Sequence, residues 1–284
     1  MGGEFDSTNV IEAPEVAVLT NIGLEHTEYL GDTIEAIART KSGIIKPGCR
    51  VVSYDNVPEV KEIISEVAKE NGAPLVFADP SGIRLVSRDL DGQVFEWEGK
   101  TYRLPLHGEH QLRNASVVME IVRELREQGW DISDEAVRRG LAEVKWPARF
   151  QILSRDPLFI LDGGHNPQCA EAMTESLDAL LPGQKVDFLL GILADKDYTQ
   201  MIDILSPYAA SFHCIAPENE RALGVEALAD TIRARGFETY AYNDLDEAIR
   251  AVCGSAAANN RPAVCFGSLY LAGEVLNYCE DCVS

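Results

Sequence analysis

Asp162, Gly163, Gly164 and His165 close the apolar run Phe159–Leu161 and stand just ahead of Asn166-Pro167. A carboxylate can accept amide hydrogens or hold a cation, and an imidazole can carry a proton near neutral pH. Two glycines let the backbone approach something closely. The same residues also suit a tight strand-to-helix connection in which His165 or Asn166 caps the next helix, and for this stretch alone both readings stay open. Two more stretches tilt the balance toward a site. "GILADKD" presents Asp195, Lys196 and Asp197 after the apolar run 186–191, and "FGSLY" places Ser268 behind a glycine at a helix start. Lys196 and the free N–H groups of that helix start suit an anionic ligand. In the first half, "NIGLEHTEYLG" puts Glu25 and His26 just past an apolar run, with Lys41 downstream. Arg39, Lys41 and Lys46 cluster within eight residues of a chain otherwise short of bases.

These residues need elements to carry them. The spacing predicts strands over 15–23, 50–54 and 74–78, with helices over 33–45 and 57–72, the latter closed by Gly72. Residues 82–106 alternate apolar and polar types around Asp-Gly and Glu-Gly turns, which predicts a small antiparallel patch. Helices are predicted over 110–129 and 133–144, the second capped at Ser133 or Asp134. Pro147 breaks a helical stretch before a new strand, so "KWPARFQIL" is the domain boundary, giving domains 1–147 and 148–284. Beyond it, strands at 158–162, 186–191, 211–216, 238–242 and 262–267 alternate with helices near 167–181, 198–206, 224–235 and 244–254. Such alternation implies an α/β fold with a mostly parallel sheet covered on both faces. Ligands of open parallel sheets gather at the C-terminal strand ends, where Asp162, Lys196 and Ser268 all fall.

Bulk properties narrow the classes. The 284 residues suit two domains, and 46% apolar content is enough for real cores. A net charge of −21, from 46 acids against 25 bases, repels polyanions and argues against nucleic acid or an acidic membrane as partner. There is no basic-then-apolar leader, and the seven cysteines are scattered and odd in number. Both features point to a reducing, cytoplasmic setting. Cys279 and Cys282 form a lone CxxC at the C-terminus, without the second pair that a zinc site needs. No G-x-G-x-x-G follows a strand, which speaks against a dinucleotide oxidoreductase.

"NIGLEHTEYLGDTIEAIARTKSGIIKPG", "HQLRNA", "PARFQ", "DGGHNP", "DKD" and "GSLYLAGEV" occur in this order. Together they resemble the folylpolyglutamate synthase and dihydrofolate synthase branch of the Mur ligase superfamily, across nearly the whole chain. The resemblance implies the C-terminal part of a P-loop-type ATPase domain, bearing the small antiparallel patch, followed by a Rossmann-like ligase domain. It implies an ATP-dependent amide ligase in which a substrate carboxylate is phosphorylated and then attacked by the amine of L-glutamate. ATP, Mg2+, L-glutamate and a reduced folate are the implied small molecules. His26 matches the family's magnesium-binding histidine, and Lys41 its carbamylated lysine. Asn114 and Arg149 match nucleotide contacts, the guanidinium being suited to phosphate. Asp162 matches the acid that holds the ATP ribose, and His165, Lys196 and Ser268 match positions near the incoming glutamate.

The family's G-x-x-G-K-[ST] loop does not occur in these residues, and "GGEFDSTN" reads as the interior of a loop. The resemblance therefore leads us to expect an N-terminally shortened form with little or no ligase activity alone. It also leads us to expect a sheet edge in the first domain through which two copies associate. Two rivals remain: a peptidoglycan-precursor ligase of the same superfamily, and a non-catalytic binding module descended from it.

Overall fold

The computed structural model describes residues 2–3, 6–24 and 30–281. The chain divides into two compact units: residues up to Ser87 with Val94–Arg103 and His110–Ala142, and Arg88–Gln93 with Leu104–Glu109 and Glu143–Ser284. The antiparallel patch expected inside the first domain is thus apportioned between the two. Its strands β4 (Ile83–Asp89), β5 (Gly92–Trp97) and β6 (Lys100–Leu104) form one sheet in that order. Two-residue connections between them allow only antiparallel pairing.

In the first unit, β1 (Val16–Leu19), β2 (Arg50–Ser53) and β3 (Leu75–Phe77) make a parallel sheet in sequence order. Helices α1 (Ile34–Ser42) and α2 (Pro58–Glu70) connect them. Thr33 caps α1 by accepting the Ala36 N–H, which starts the helix where the spacing predicts. Side chains alternate across β2. Val51 packs with Ile37, Val60 and Ile64 on one face, and Val52 with Tyr54 and Val117 on the other. Val117 belongs to α3 (Glu109–Glu127). Helix α4 (Asp134–Ala142) follows, capped by Ser133 through the Ala136 N–H.

The second unit holds a six-stranded sheet in the order β11-β10-β9-β12-β8-β7. Its strands are β7 (Gln151–Arg155), β8 (Leu158–Leu161), β9 (Val186–Leu190), β10 (Ala209–Ile215), β11 (Thr239–Tyr242) and β12 (Ala263–Phe266). Only β7 runs antiparallel to its neighbour. Helices α5 (Pro167–Leu180), α6 (Tyr198–Leu205) and α7 (Val225–Arg233) cover one face, burying Met173, Ile202 and Ile232 against Phe188, Phe212 and Phe266. Helices α8 (Leu245–Asn259) and α9 (Leu269–Asp281) cover the other, packing Val252 and Leu271 on Leu161, Leu189 and Cys265. Each such side chain contributes roughly 2 kcal/mol. The return of the chain from β11 to insert β12 between β9 and β8 makes the switch point at which α/β sheets bind ligands.

A polar seam crosses this core. Asp187 is fully buried and accepts hydroxyl hydrogens from Ser211 at 2.8 Å and Ser255 at 3.1 Å. Nearby, His213 stacks on Tyr240 and Tyr242, its ring centroid 5.0 and 5.7 Å from theirs. Burial lowers its pKa, against the pull of Asp187 and Glu238. The folded state therefore favours the neutral ring. As pH falls through the ordinary value of 6.5, the unfolded chain takes up a proton that the folded chain resists, and stability is lost. Thermal unfolding midpoints should fall between about pH 7.5 and about pH 5.5, and His213→Gln should shrink that fall. No described helix is long and apolar enough to cross a membrane.

Candidate functional site

The strand ends of β8, β12 and β9 lie side by side in the second unit, and their following loops are stitched together. Asp162 donates its N–H to Cys265 O at 2.9 Å, Gly267 donates to Gly164 O at 2.9 Å, and Gly191 donates to Phe266 O at 3.3 Å. The glycines make this possible. A Cβ on Gly164 would stand 2.4 Å from the Phe266 ring, and one on Gly163 2.4 Å from Leu269. The close approach that the Gly163-Gly164 pair permits is thus to the protein's own side chains.

Each acid or hydroxyl here also has a local task. Asp162 accepts the Phe150 N–H at 2.8 Å through Oδ2 and the Gly164 N–H at 2.7 Å through Oδ1. Burial raises its carboxyl above the ordinary value, and the two amide donors, Arg149 and His165 oppose that rise. Asn166, not His165, caps α5 through the Cys169 N–H at 2.8 Å, with Pro167 in the first turn. Asp197 caps α6 through the Gln200 N–H at 3.1 Å. Ser268 is buried, and its Oγ accepts the Tyr270 N–H at 3.0 Å at the start of α9. Of the residues read as site-forming, Asp197 and Ser268 therefore hold helix starts in place.

His165 and Lys196 are the freer chemical groups. The His165 Nδ1 lies 3.1 Å from Gly163 O. A carbonyl only accepts, so this contact places the ring proton on Nδ1 and leaves Nε2 as the basic nitrogen. Lys196 Nζ lies 3.3 Å from Asp195 Oδ2, and Arg221 Nη1 approaches the same oxygen at 3.4 Å. Slight burial pushes Asp195 up, but the two cations outweigh it and hold it below its ordinary value. Two bases thus approach one acid, while Asp197, two residues on, is taken up by the α6 cap.

Arg149 sits between Ala148 (φ +55°) and Phe150 (φ +42°), two non-glycine residues in the left-handed region. Each costs of order 1 kcal/mol that the surroundings must offset. Beside it opens a cavity of about 370 Å³ lined by His107, Lys145, Trp146, Phe150 and other residues. His107 is buried, and its Nδ1 finds no partner among the described residues. Its ring lies 5.1 Å from that of Phe150, and burial pushes its pKa down. Its lining mixes apolar side chains such as Leu90, Leu106 and Trp146 with Asp91, Lys145 and Arg149.

In the first unit, Lys41 occupies the last turn of α1, and the N-terminal glycines lie directly on that turn. A Cβ on Gly3 would fall 2.1 Å from Thr40 O and 2.6 Å from Lys41 O. Asn114 is exposed on α3 and donates to Gln111 Oε1 at 3.2 Å. His26 lies outside the described residues. Among the described residues no three His, Cys, Asp or Glu side chains come together as a metal shell. Three residues that the sequence did not single out have clear roles. Gln151 Oε1 accepts the Ala148 N–H at 2.9 Å. Arg221 joins the Asp195 cluster. Buried Asn56 accepts the Ile22 N–H at 2.8 Å and so ties down the loop after β1. An asparagine or glutamine beside a strand end signals a loop tie, but its partner is invisible without the fold.

Residues 3–122 match the Mur ligase middle domain, and residues 148–269 match the glutamate ligase domain of Mur ligases. The chain is 34% identical over 291 aligned positions to the folylpolyglutamate synthase of Lacticaseibacillus casei, covering 97% of this chain and 64% of that protein. It is 32% identical to the dihydrofolate synthase/folylpolyglutamate synthase of Bacillus subtilis, covering 97% and 65%. The Mycobacterium tuberculosis folylpolyglutamate synthase complexed with ADP and AMPPCP superposes with a TM-score of 0.86 at 32% identity, covering 98% of this chain and 66% of that one. The chain thus spans just under two thirds of the length of these relatives.

Proposed function

This chain belongs to the Mur ligase family, and we propose that it acts in the cytoplasm in ATP-dependent ligation of L-glutamate to a folate. Residues 1–147 are the ATPase portion and residues 148–284 the glutamate ligase domain. The observation that supports this reading is the glycine-stitched edge where the loops after β8, β12 and β9, which carry His165, Ser268 and Lys196, are hydrogen-bonded to one another. The named relatives add the choice of folate and glutamate as substrates.

The chemistry follows from the poor leaving group of a carboxylate. The γ-phosphoryl group of ATP passes to a folate carboxylate oxygen and ADP departs. The glutamate amine then attacks the acyl carbon, the carbon–oxygen bond to phosphate breaks, and inorganic phosphate and the amide remain. Lys196 holds a carboxylate of the incoming glutamate. His165, protonated at Nδ1 by its contact with Gly163, offers Nε2 to take the proton that the amine must lose. Ser268 orients the start of α9 toward the same glutamate. By resemblance, Arg149 and Asn114 are nucleotide contacts, and Asp162 holds the Phe150 N–H beside Arg149. Lys41 serves the phosphoryl-transfer centre. Magnesium accompanies ATP in such ligases, with His26 its ligand by resemblance; the described residues form no shell for it.

Calorimetric titration of the chain with L-glutamate and with ATP tests this reading. Saturable binding of both ligands is the expected result. Failure of both to bind, with the protein folded, would sink it.

A further inference from the structure

The segment Ala148–Phe150 needs an explanation that its residue types do not supply. Neither alanine nor phenylalanine favours a positive φ, so neighbours must hold both residues there. Two side chains do. Gln151 Oε1 accepts the Ala148 N–H at 2.9 Å, and Asp162 Oδ2 accepts the Phe150 N–H at 2.8 Å. A backbone tie from Gly163 N–H to Ala148 O, 2.9 Å long, joins them. Asp162 is itself fixed, because its other oxygen is held by the Gly164 N–H at 2.7 Å. Arg149 Nη1 donates to Ala148 O at 3.0 Å and lies 3.4 Å from where a Cβ on Gly163 would stand. The guanidinium is therefore packed over the turn that the staple creates.

We propose that Gln151 and Asp162 are positioning residues: together they clamp the strained Ala148–Phe150 segment and so set the direction in which Arg149 meets the phosphates of a nucleotide. The proposal rests on reading Arg149 as a phosphate contact. It gives Asp162 a task that requires no touch on the ribose, and it assigns Gln151, which lies next to Phe150 in sequence, an equal share. Without the acceptors, Ala148 and Phe150 relax toward ordinary backbone angles. Arg149, lying between them, is then swung from both sides.

The full chain is compared with Gln151→Ala, Gln151→Glu, Arg149→Ala, the double variant Gln151→Ala/Arg149→Ala, and Asp162→Asn. Amide hydrogen exchange reads the clamp at Ala148 and Phe150. Calorimetric titration reads affinity for ATP and for 2′,3′-dideoxy-ATP. Gln151→Ala should speed exchange at Ala148 and weaken ATP about tenfold, since small misplacements of a positioned group are costly. Gln151→Glu keeps an acceptor oxygen and should restore both. With Arg149 already removed, Gln151→Ala should cost less than about twofold, because the two act as one unit. Asp162→Asn should speed exchange at Phe150 and weaken both nucleotides equally. Additive losses for Gln151 and Arg149, unchanged exchange at both amides, or an Asp162→Asn loss that vanishes with the dideoxy nucleotide would each overturn the proposal. If the wild-type chain binds neither nucleotide, the reading of Arg149 fails and its presentation fails with it, while the exchange measurements still decide whether the clamp exists.

Discussion

Gly267→Ala is expected to destabilise the second unit by about 3 kcal/mol, the sum of an unfavourable backbone angle and a backbone clash. Gly267 has φ +113°, and a Cβ there would stand 2.8 Å from both Gly191 O and Ile192 Cγ1. The carbonyl oxygen cannot step aside as a flexible side chain would, since Gly191 is tied to Phe266 across the strand ends. Gly267 also donates to Gly164 O, so a shift at one loop disturbs the turn that carries His165. A drop of about 10 °C in the thermal midpoint is the corresponding readout. Gly254→Ala is the control. Gly254 lies exposed in α8, and a Cβ there would meet nothing within 4 Å, so alanine should stabilise by about 0.5–1 kcal/mol through helix propensity. Opposite signs from one chemical change separate a glycine that packing requires from one that it does not. Equal midpoints for Gly267→Ala and wild type would show that the stitched strand ends are misplaced.

The regular rhythm of the second unit was legible from the alternation of apolar runs and helical spacing, even where a helix start carries no side-chain cap, as at Gly224. Asn166 before Pro167 caps as its type suggests, whereas Asp197 and Ser268, read as site residues, prove to hold the starts of α6 and α9. Strand ends were overestimated by a few residues, as in 15–23 against Val16–Leu19, because an apolar or polar side chain does not say where ladder pairing stops. The strained pair flanking Arg149 was not legible at all. A positive φ at alanine or phenylalanine leaves no mark in residue type, and it arises from Gln151 and from Asp162, twelve positions after Phe150. The Gly163-Gly164 pair was legible as a need for space, but not as to what fills the space. Leu269, far away in sequence, does so.

Lys196→Ala is expected to weaken L-glutamate binding about ten- to hundredfold, as loss of a charge-assisted contact worth about 1.5–3 kcal/mol implies. The loop that carries Lys196 is pinned. Ala194 donates to Arg221 O at 2.8 Å, Leu223 donates to Ile192 O at 2.9 Å, and Leu193 pairs with Ala222 in an antiparallel bridge. The ammonium is thus presented from a rigid frame, so little ordering entropy offsets its contact with a carboxylate. Its side chain is 27% exposed against 55% for Arg221, and solvent screens the more exposed charge more strongly. Arg221→Ala should therefore cost only a few-fold, and added salt should erase that cost before it erases the cost of losing Lys196. ATP affinity should stay unchanged in Lys196→Ala, which distinguishes loss of the acceptor contact from a collapse of the strand ends. If glutamate binds this variant as tightly as wild type, the Lys196–Asp195–Arg221 cluster serves the fold alone, and the acceptor carboxylate must be held elsewhere.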